Sequence, residues 1–512
     1  MRSAIFHITL ILLLACPALL FGQQKSLPLN RSMSLEVERS VSSPDSVVHT
    51  GMKPLLESRF DLTGVMPYEK DSVEYKSRVA AKIFSEHLLV VDEENFHLTI
   101  DPLFNFQYGY DFADTTNYQD TVSLYENTRG FWVRGDIGKN KKVSFESMFY
   151  ENQKFFPSYL KSYADRTGVV PGEGRYKLFE EAGYDFGYAY ANVSFSPNEK
   201  LNFQLGHGKH FIGHGYRSML LSDNAFGYPY FKATTWLWKD KIQYSYMYAQ
   251  LESLLRQPAT ELPEALFVGK DASIYYLSFL ATSNLEIGLF ESVIWNRYDL
   301  DEGTQPFNWQ SVIPVIGVNS AILGMDDLNN SKVGLNANLK ITPRFHLYGQ
   351  LAVDEFGDQR HAVQSGMKFY DLFTPNFYFQ IEYNETGRGY QIGSPPSLEK
   401  FSQQGQWLDF TPEFSRREAV MIANYRWKRL FAKAKANLIR PNIEGDSFFF
   451  PSNERHTLVQ DYQVGYLINP STNLTVSVGY LDRTQTFSVV ESKTQWFYLR
   501  IGTSLQNLYY DF

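Results

Sequence analysis

The chain of 512 residues is long for one ordinary soluble domain, and its net charge of −8 supplies no basic footprint for nucleic acid. Charged residues make up 20% and aromatics 16%, with 34 Tyr and 40 Phe, a load suited to aromatic girdles at two membrane interfaces. The mean hydropathy of −0.31 excludes a helical membrane protein, since no apolar run beyond the N-terminus reaches the ~20 residues a spanning helix needs. It does not exclude a β-barrel, in which half of each strand faces water.

Residues 1–22 read as a secretory signal peptide, with Arg2 before an apolar stretch and Gly22-Gln23 as the cleavage point. Cys16, the one cysteine, lies inside that leader, so no disulfide, thiolate metal site or Cys nucleophile is expected in the mature chain. Residues 23–94 do not alternate. Helices are expected over 30–40 and 77–91, the second with Val79, Ala80, Ile83, Phe84 and Leu88 as an apolar stripe. This region is read as a periplasmic or plug region.

From Asn95 the period becomes two. Val143, Phe145 and Phe149 oppose Ser144, Glu146 and Tyr150; Phe377, Phe379 and Ile381 oppose Tyr378, Gln380 and Glu382; Leu474, Val476 and Val478 oppose Thr475, Ser477 and Gly479. Such alternation marks strands with two different solvents on their faces. About 18 segments follow, over 95–512. Tight turns at 138–140, 196–199, 239–240, 283–284, 342–344, 374–376 and 469–471 alternate with long links at 111–127, 152–180, 208–228, 252–270, 295–330, 385–416 and 440–454. Outer-membrane barrels sort short periplasmic turns from long outward loops in this way. The expected fold is therefore an all-β, transmembrane, antiparallel outer-membrane barrel of about 18 strands, with lipid as the outer partner. The last strand over 495–512 ends on Leu508-Tyr509-Tyr510-Asp511-Phe512 and resembles the C-terminal signal read by the barrel-assembly machinery.

The densest unusual stretch is Gly206-His207-Gly208-Lys209-His210-Phe211-Ile212-Gly213-His214-Gly215-Tyr216-Arg217. Its glycines permit backbone shapes closed to other residues, so the link can fold back into the lumen. His207, His210 and His214 lack a neighbouring carboxylate and metal-ligand spacing, so no metal is assigned. Lys209 is followed by His210 and no Ser or Thr, which excludes a phosphate loop. The remaining reading is a lumen loop or constriction held by His207, Lys209, His210, His214, Tyr216 and Arg217. Trp295, Trp309, Tyr390 and Trp407 lie in long outward links, where aromatic faces suit sugar rings. No G-x-S-x-G, H-E-x-x-H or Walker pattern is present, so no catalytic residue and no cofactor are assigned.

Residues 213–222, with Tyr228-Pro229-Tyr230, resemble the signature of the Wzi-like capsule-assembly family, nearest to gliding-motility surface proteins of the RemB type. Gly324-Met325-Asp326, Leu347-Tyr348-Gly349-Gln350-Leu351 and Asp354-Glu355-Phe356 are similar to a second family stretch, and Met52-Lys53-Pro54-Leu55-Leu56-Glu57 to its pre-barrel segment. The link at 385–416 departs from the gliding subgroup. The resemblance implies an eighteen-stranded barrel in the cell outer membrane with a helical part near its periplasmic mouth. It also implies a non-catalytic, lectin-like hold on capsular or other surface polysaccharide. A gliding or adhesion role through protein partners is the alternative, and a porin-like channel the third reading.

Overall fold

The computed structural model describes residues 25–65, 75, 77–116, 118–256, 267–299, 303–323, 331–354, 361–387, 400–410, 415–443, 446–449, 455–487, 490–503 and 506–512. Residues 1–22, expected to be a signal peptide, and Tyr390 lie outside the described residues.

Eighteen antiparallel strands close into one barrel. The first six are β1 (Phe96–Asp111), β2 (Leu124–Ile137), β3 (Val143–Lys154), β4 (Gly183–Asn198), β5 (Leu201–Gly208) and β6 (Tyr228–Leu237). Next come β7 (Ile242–Arg256), β8 (Phe267–Thr282), β9 (Leu285–Asn296), β10 (Ser331–Thr342), β11 (Phe345–Asp354) and β12 (His361–Tyr370). The last are β13 (Phe377–Thr386), β14 (Arg416–Trp427), β15 (Leu430–Pro441), β16 (His456–Asn469), β17 (Leu474–Phe487) and β18 (Val490–Gly502). β18 returns to β1, with Trp496 opposite Asp111 and Gly502 opposite Asn105. None of the eighteen is left as an edge strand, which is how a sheet satisfies its backbone inside hydrocarbon.

The side chains are distributed as the bilayer requires. Phe131, Val193, Leu205, Leu335, Val464 and Leu499 are exposed, while Glu146, Gln204, Lys332, Gln350, Glu382 and Glu418 on the opposite rungs are buried. A water-soluble protein shows the reverse. With lipid outside and protein inside, this is the pattern of an outer-membrane barrel.

Two local expectations need correction. α1 (Arg31–Ser40) forms where expected, with the Asn30 side chain accepting from Ser32 N and Met33 N at its start. α2 (Arg78–Phe84) stops early: Leu89–Glu93 is a short strand paired with the beginning of β1. The apolar stripe Val79, Ile83, Phe84 and Leu88 is exposed rather than turned into the lumen. The C-terminal pentapeptide is also not part of β18. The strand ends at Gly502, and residues 506–512 lie inside the barrel, where Tyr509 and Asp511 are buried.

Val464 stands near the middle of β16 on the lipid face. Val464→Arg should cost ~2–4 kcal/mol, the penalty for a cation at the bilayer midplane. Loss of the heat-modifiable, folded band on cold SDS gels checks this.

Candidate functional site

Polar inward rungs must be satisfied by something, and here the chain supplies it. The lumen holds parts of five segments: residues 25–60, the links at 155–182 and 209–227, residues 400–410, and residues 506–512. The link after β5 turns inward because two glycines let it press on the wall. A Cβ on Gly213, whose φ is +136°, would strike the Gln350 side chain, and one on Gly215 would strike Glu382 and Gln364.

The wall then holds the link through its backbone. Gln350 on β11 donates Nε2 to Ile212 O at 2.9 Å and accepts from Met219 N at 2.8 Å. Gln364 on β12 donates to Arg217 O at 2.9 Å. Glu382 on β13 accepts from Tyr216 N at 2.6 Å and Arg217 N at 3.0 Å. Within the link, Ser218 Oγ donates to Ile212 O at 2.5 Å and accepts from Leu220 N and Leu221 N. A buried stretch without regular structure is stable only when its amides and carbonyls are paired in this way.

Arg217 ties loop, wall and tail together. Its guanidinium lies 2.9 Å from Glu418 on β14 and 3.1 Å from Asp511. Asp511 also accepts from Lys435 Nζ on β15 at 2.8 Å and from Tyr216 OH at 2.6 Å. Burial opposes ionisation of Asp511, yet Arg217 and Lys435 outweigh it and hold this carboxyl below the usual range. Beside it, Arg31 of α1 donates to Gly215 O, Tyr216 O and Tyr509 OH, and its own N–H reaches Asn507. Tyr509 OH and Asn507 Nδ2 both donate to Asp223. On the opposite side, Lys154 on β3 pairs with Glu173 at 2.8 Å, and Tyr510 OH donates to the same carboxylate. Lys332 on β10 pairs with Asp409 of the 400–410 segment.

The six residues expected in the lumen divide five to one. Lys209, His210, His214, Tyr216 and Arg217 are buried there. His207 is only half-buried near the end of β5 and bonds the Ala189 carbonyl at 2.7 Å. Lys209 finds carbonyls, not carboxylates: Gly172 O at 2.6 Å and Asp223 O at 3.2 Å, with burial pushing its amine down to about 8. The three imidazoles have three different settings, since His210 packs against Tyr228 and Tyr230 while His214 lies 3.7 Å from Glu286.

The expected sugar-binding tryptophans are placed otherwise. Trp407 is 4% exposed and belongs to the luminal 400–410 segment. Trp295 is 1% exposed, on an outward rung of β9, with Nε1 donating to Ser273 Oγ at 2.8 Å. Neither ring is free to stack on a sugar. Trp309 is 78% exposed, but the segment that carries it lies along the outer wall. Sequence reasoning missed Arg31, Asp223, Asp409 and Asp511, whose side-chain partners lie between 76 and 478 positions away. The signal within reach was the row of inward carboxylates, Glu286, Glu382 and Glu418, opposite a basic, Gly-rich link.

These features define an outer-membrane β-barrel whose lumen holds segments of its own chain. No family model matches the sequence, and no curated protein matches it. Among solved structures, the chain is similar to Wzi, an outer-membrane protein involved in group 1 capsule assembly in Escherichia coli and a carbohydrate-binding β-barrel. The identity is 12%, the overlap covers 94% of this chain and 100% of that one, and the TM-score is 0.56, a likeness of fold. Acinetobacter baumannii OccAB2 (13% identity, 79% of this chain, 97% of that one) and Pseudomonas aeruginosa OpdK (11%, 79% and 98%) overlap at a TM-score of 0.44 each. Several stretches singled out in the sequence meet in space. Met52 and Lys53 pair with Ile212 and Phe211, Lys53 Nζ donates to Gly213 O at 2.9 Å, and Gln350 bonds Ile212.

Arg217→Leu leaves Glu418 and Asp511 buried beside a missing cation. Breaking a buried pair in this way costs ~3–5 kcal/mol, so the tail and loop should undock within an intact barrel, read as new single-channel conductance. His214 gives a pH dependence. Burial, opposed only in part by Glu286, pushes its imidazole down to about 3 from an ordinary 6.5. The undocked form therefore binds the proton more readily, and docking is at full strength above pH 6.5 and weakens as pH falls toward 3. Protease sensitivity of the plug should rise over that window, and His214→Gln should flatten the rise.

Proposed function

We propose that this barrel is a non-catalytic surface protein that holds capsular or other exopolysaccharide at the outer membrane through its outward links. The observation that carries the reading is the set of chain segments held inside the lumen. Strands β3, β9, β11, β12, β13, β14, β15 and β17 all send side chains to luminal segments, so the barrel acts as a rigid stand for the loops at its outer end. The fold shared with Wzi, a carbohydrate-binding barrel, points the same way. In this reading residues 23–94 act as the inner plug and periplasmic cap. Tyr390 remains the proposed stacking residue, joined by the exposed Phe449 in the link after β15. The gliding or adhesion role and the porin role are the competing outcomes.

The test is binding of the detergent-purified protein to polysaccharide extracted from its own cells, with Tyr390→Ala and Phe449→Ala alongside. Saturable binding weakened by either substitution is expected. A folded barrel that binds none, while its deletion abolishes surface spreading, would transfer the role to motility through protein partners. A steady open conductance in the unsubstituted protein would favour the porin reading.

A further inference from the structure

The link between β9 and β10 contains no charged residue from Gly303 to Met325. It does not rise above the barrel. Instead, residues 303–323 run over the outside of β7, β8 and β9. Tyr244 and Tyr246 of β7 donate their hydroxyls to Pro314 O at 3.0 Å and Ser311 O at 2.9 Å. On β8, Tyr275 OH donates to Ile313 O at 2.8 Å and Ser273 Oγ to Ser311 O at 2.6 Å. On β9, Glu291 accepts from Gly317 N, from Ser320 N at 3.1 Å and from Ser320 Oγ at 2.5 Å.

Every one of these wall residues is on an outward rung. Their neighbours Met247, Ile274, Tyr276 and Phe290 belong to the buried cluster inside the barrel, and adjacent residues of a strand point to opposite faces. A carboxylate on the lipid face is costly. Here the segment supplies Glu291 with three donors and hides it.

The two sides of the segment differ. Its polar side chains Ser311 and Asn319 are buried against the wall. Among residues 303–321, the exposed ones are Thr304, Pro306, Trp309, Val312, Pro314, Val315, Gly317 and Ala321, so beyond Thr304 the exposed side is apolar. A water-washed loop would carry charged side chains on that side. This face instead continues the apolar band of the barrel, next to exposed Leu289 of β9 and Leu335 of β10.

We propose that residues 303–323 form a strap immersed in the hydrocarbon region of the membrane, with the apolar face led by Trp309, Val312 and Val315 binding lipid acyl chains. The strap replaces a polar patch of barrel wall with an apolar one.

The test uses the full chain reconstituted in phosphatidylcholine vesicles, with Val315→Cys prepared once as the free thiol, for maleimide labelling and cross-linking, and once carrying an environment-sensitive fluorophore, for quenching. Val312→Cys is the second variant, and the heat-modifiable band confirms folding of each. A charged maleimide should fail to label the vesicle-bound protein, a membrane-permeant one should succeed, and lipids brominated on their acyl chains should quench the emission. Full labelling by the charged reagent with emission untouched by bromine would overturn the proposal. So would protection from the reagent without quenching, accompanied by thiol cross-linking between copies of the Val315→Cys variant, since the face would then be covered by a second chain.

Discussion

Hydrocarbon offers a polypeptide no hydrogen-bond partners, and the molecule answers that constraint at each level of its organisation. The backbone answers by closing eighteen strands on themselves, so that no row of amides is left open where β18 meets β1. The side chains answer by alternation, with aliphatic and aromatic groups on the outer rungs and amides, carboxylates and amines on the inner ones. Where the outer rungs break the rule, at Ser273, Tyr275 and Glu291, a neutral stretch of chain covers them and takes up their hydrogen bonds.

The same constraint, turned inward, builds the lumen. A ring of buried polar groups is tolerable only if it is wet or matched, because an unpaired buried charge costs several kcal/mol. Here much of the matching is done by protein. Glu418 receives Arg217, Asn384 and Asn437; Glu286 receives Thr50, Gly51 and Ser278. Because the partners are directional, they also set the path of an otherwise irregular link. Gln350, Glu382 and Glu418 act as fixed posts around which residues 211–221 are threaded.

Much of this fold was legible in the sequence because its main signal is local and repeated. The period of two in segments such as 377–383 needs no knowledge of neighbours, and the parity of short turns and long links adds orientation. The inward turn of the Gly213–Gly215 stretch was also legible, since glycines beside charged and aromatic residues suggest close approach to a wall. The illegible parts are the ones decided by distant surfaces. Leu89–Glu93 looks helical until β1 offers it a ladder. Trp295 and Trp407 resemble exposed loop aromatics because nothing nearby in sequence tells that other segments cover them. The tail misled in the same way. Its alternation reads on through Leu505, and the aromatic ending drew the whole tail into the final strand.

The buried tail has a consequence for the order in which the molecule comes together. Asn507 and Arg31 touch across 476 positions of sequence, a loop whose closure is entropically unfavourable in an open chain. Once β18 pairs with β1, that distance collapses. Residues 503–512 become a short tether fixed at the seam, and a short flexible tether presents its end at an effective concentration in the millimolar range. Closure of the wall therefore lowers the entropic cost of filling the centre, and the contacts of Asp511 with Arg217 and Lys435 latch the tail across the completed ring.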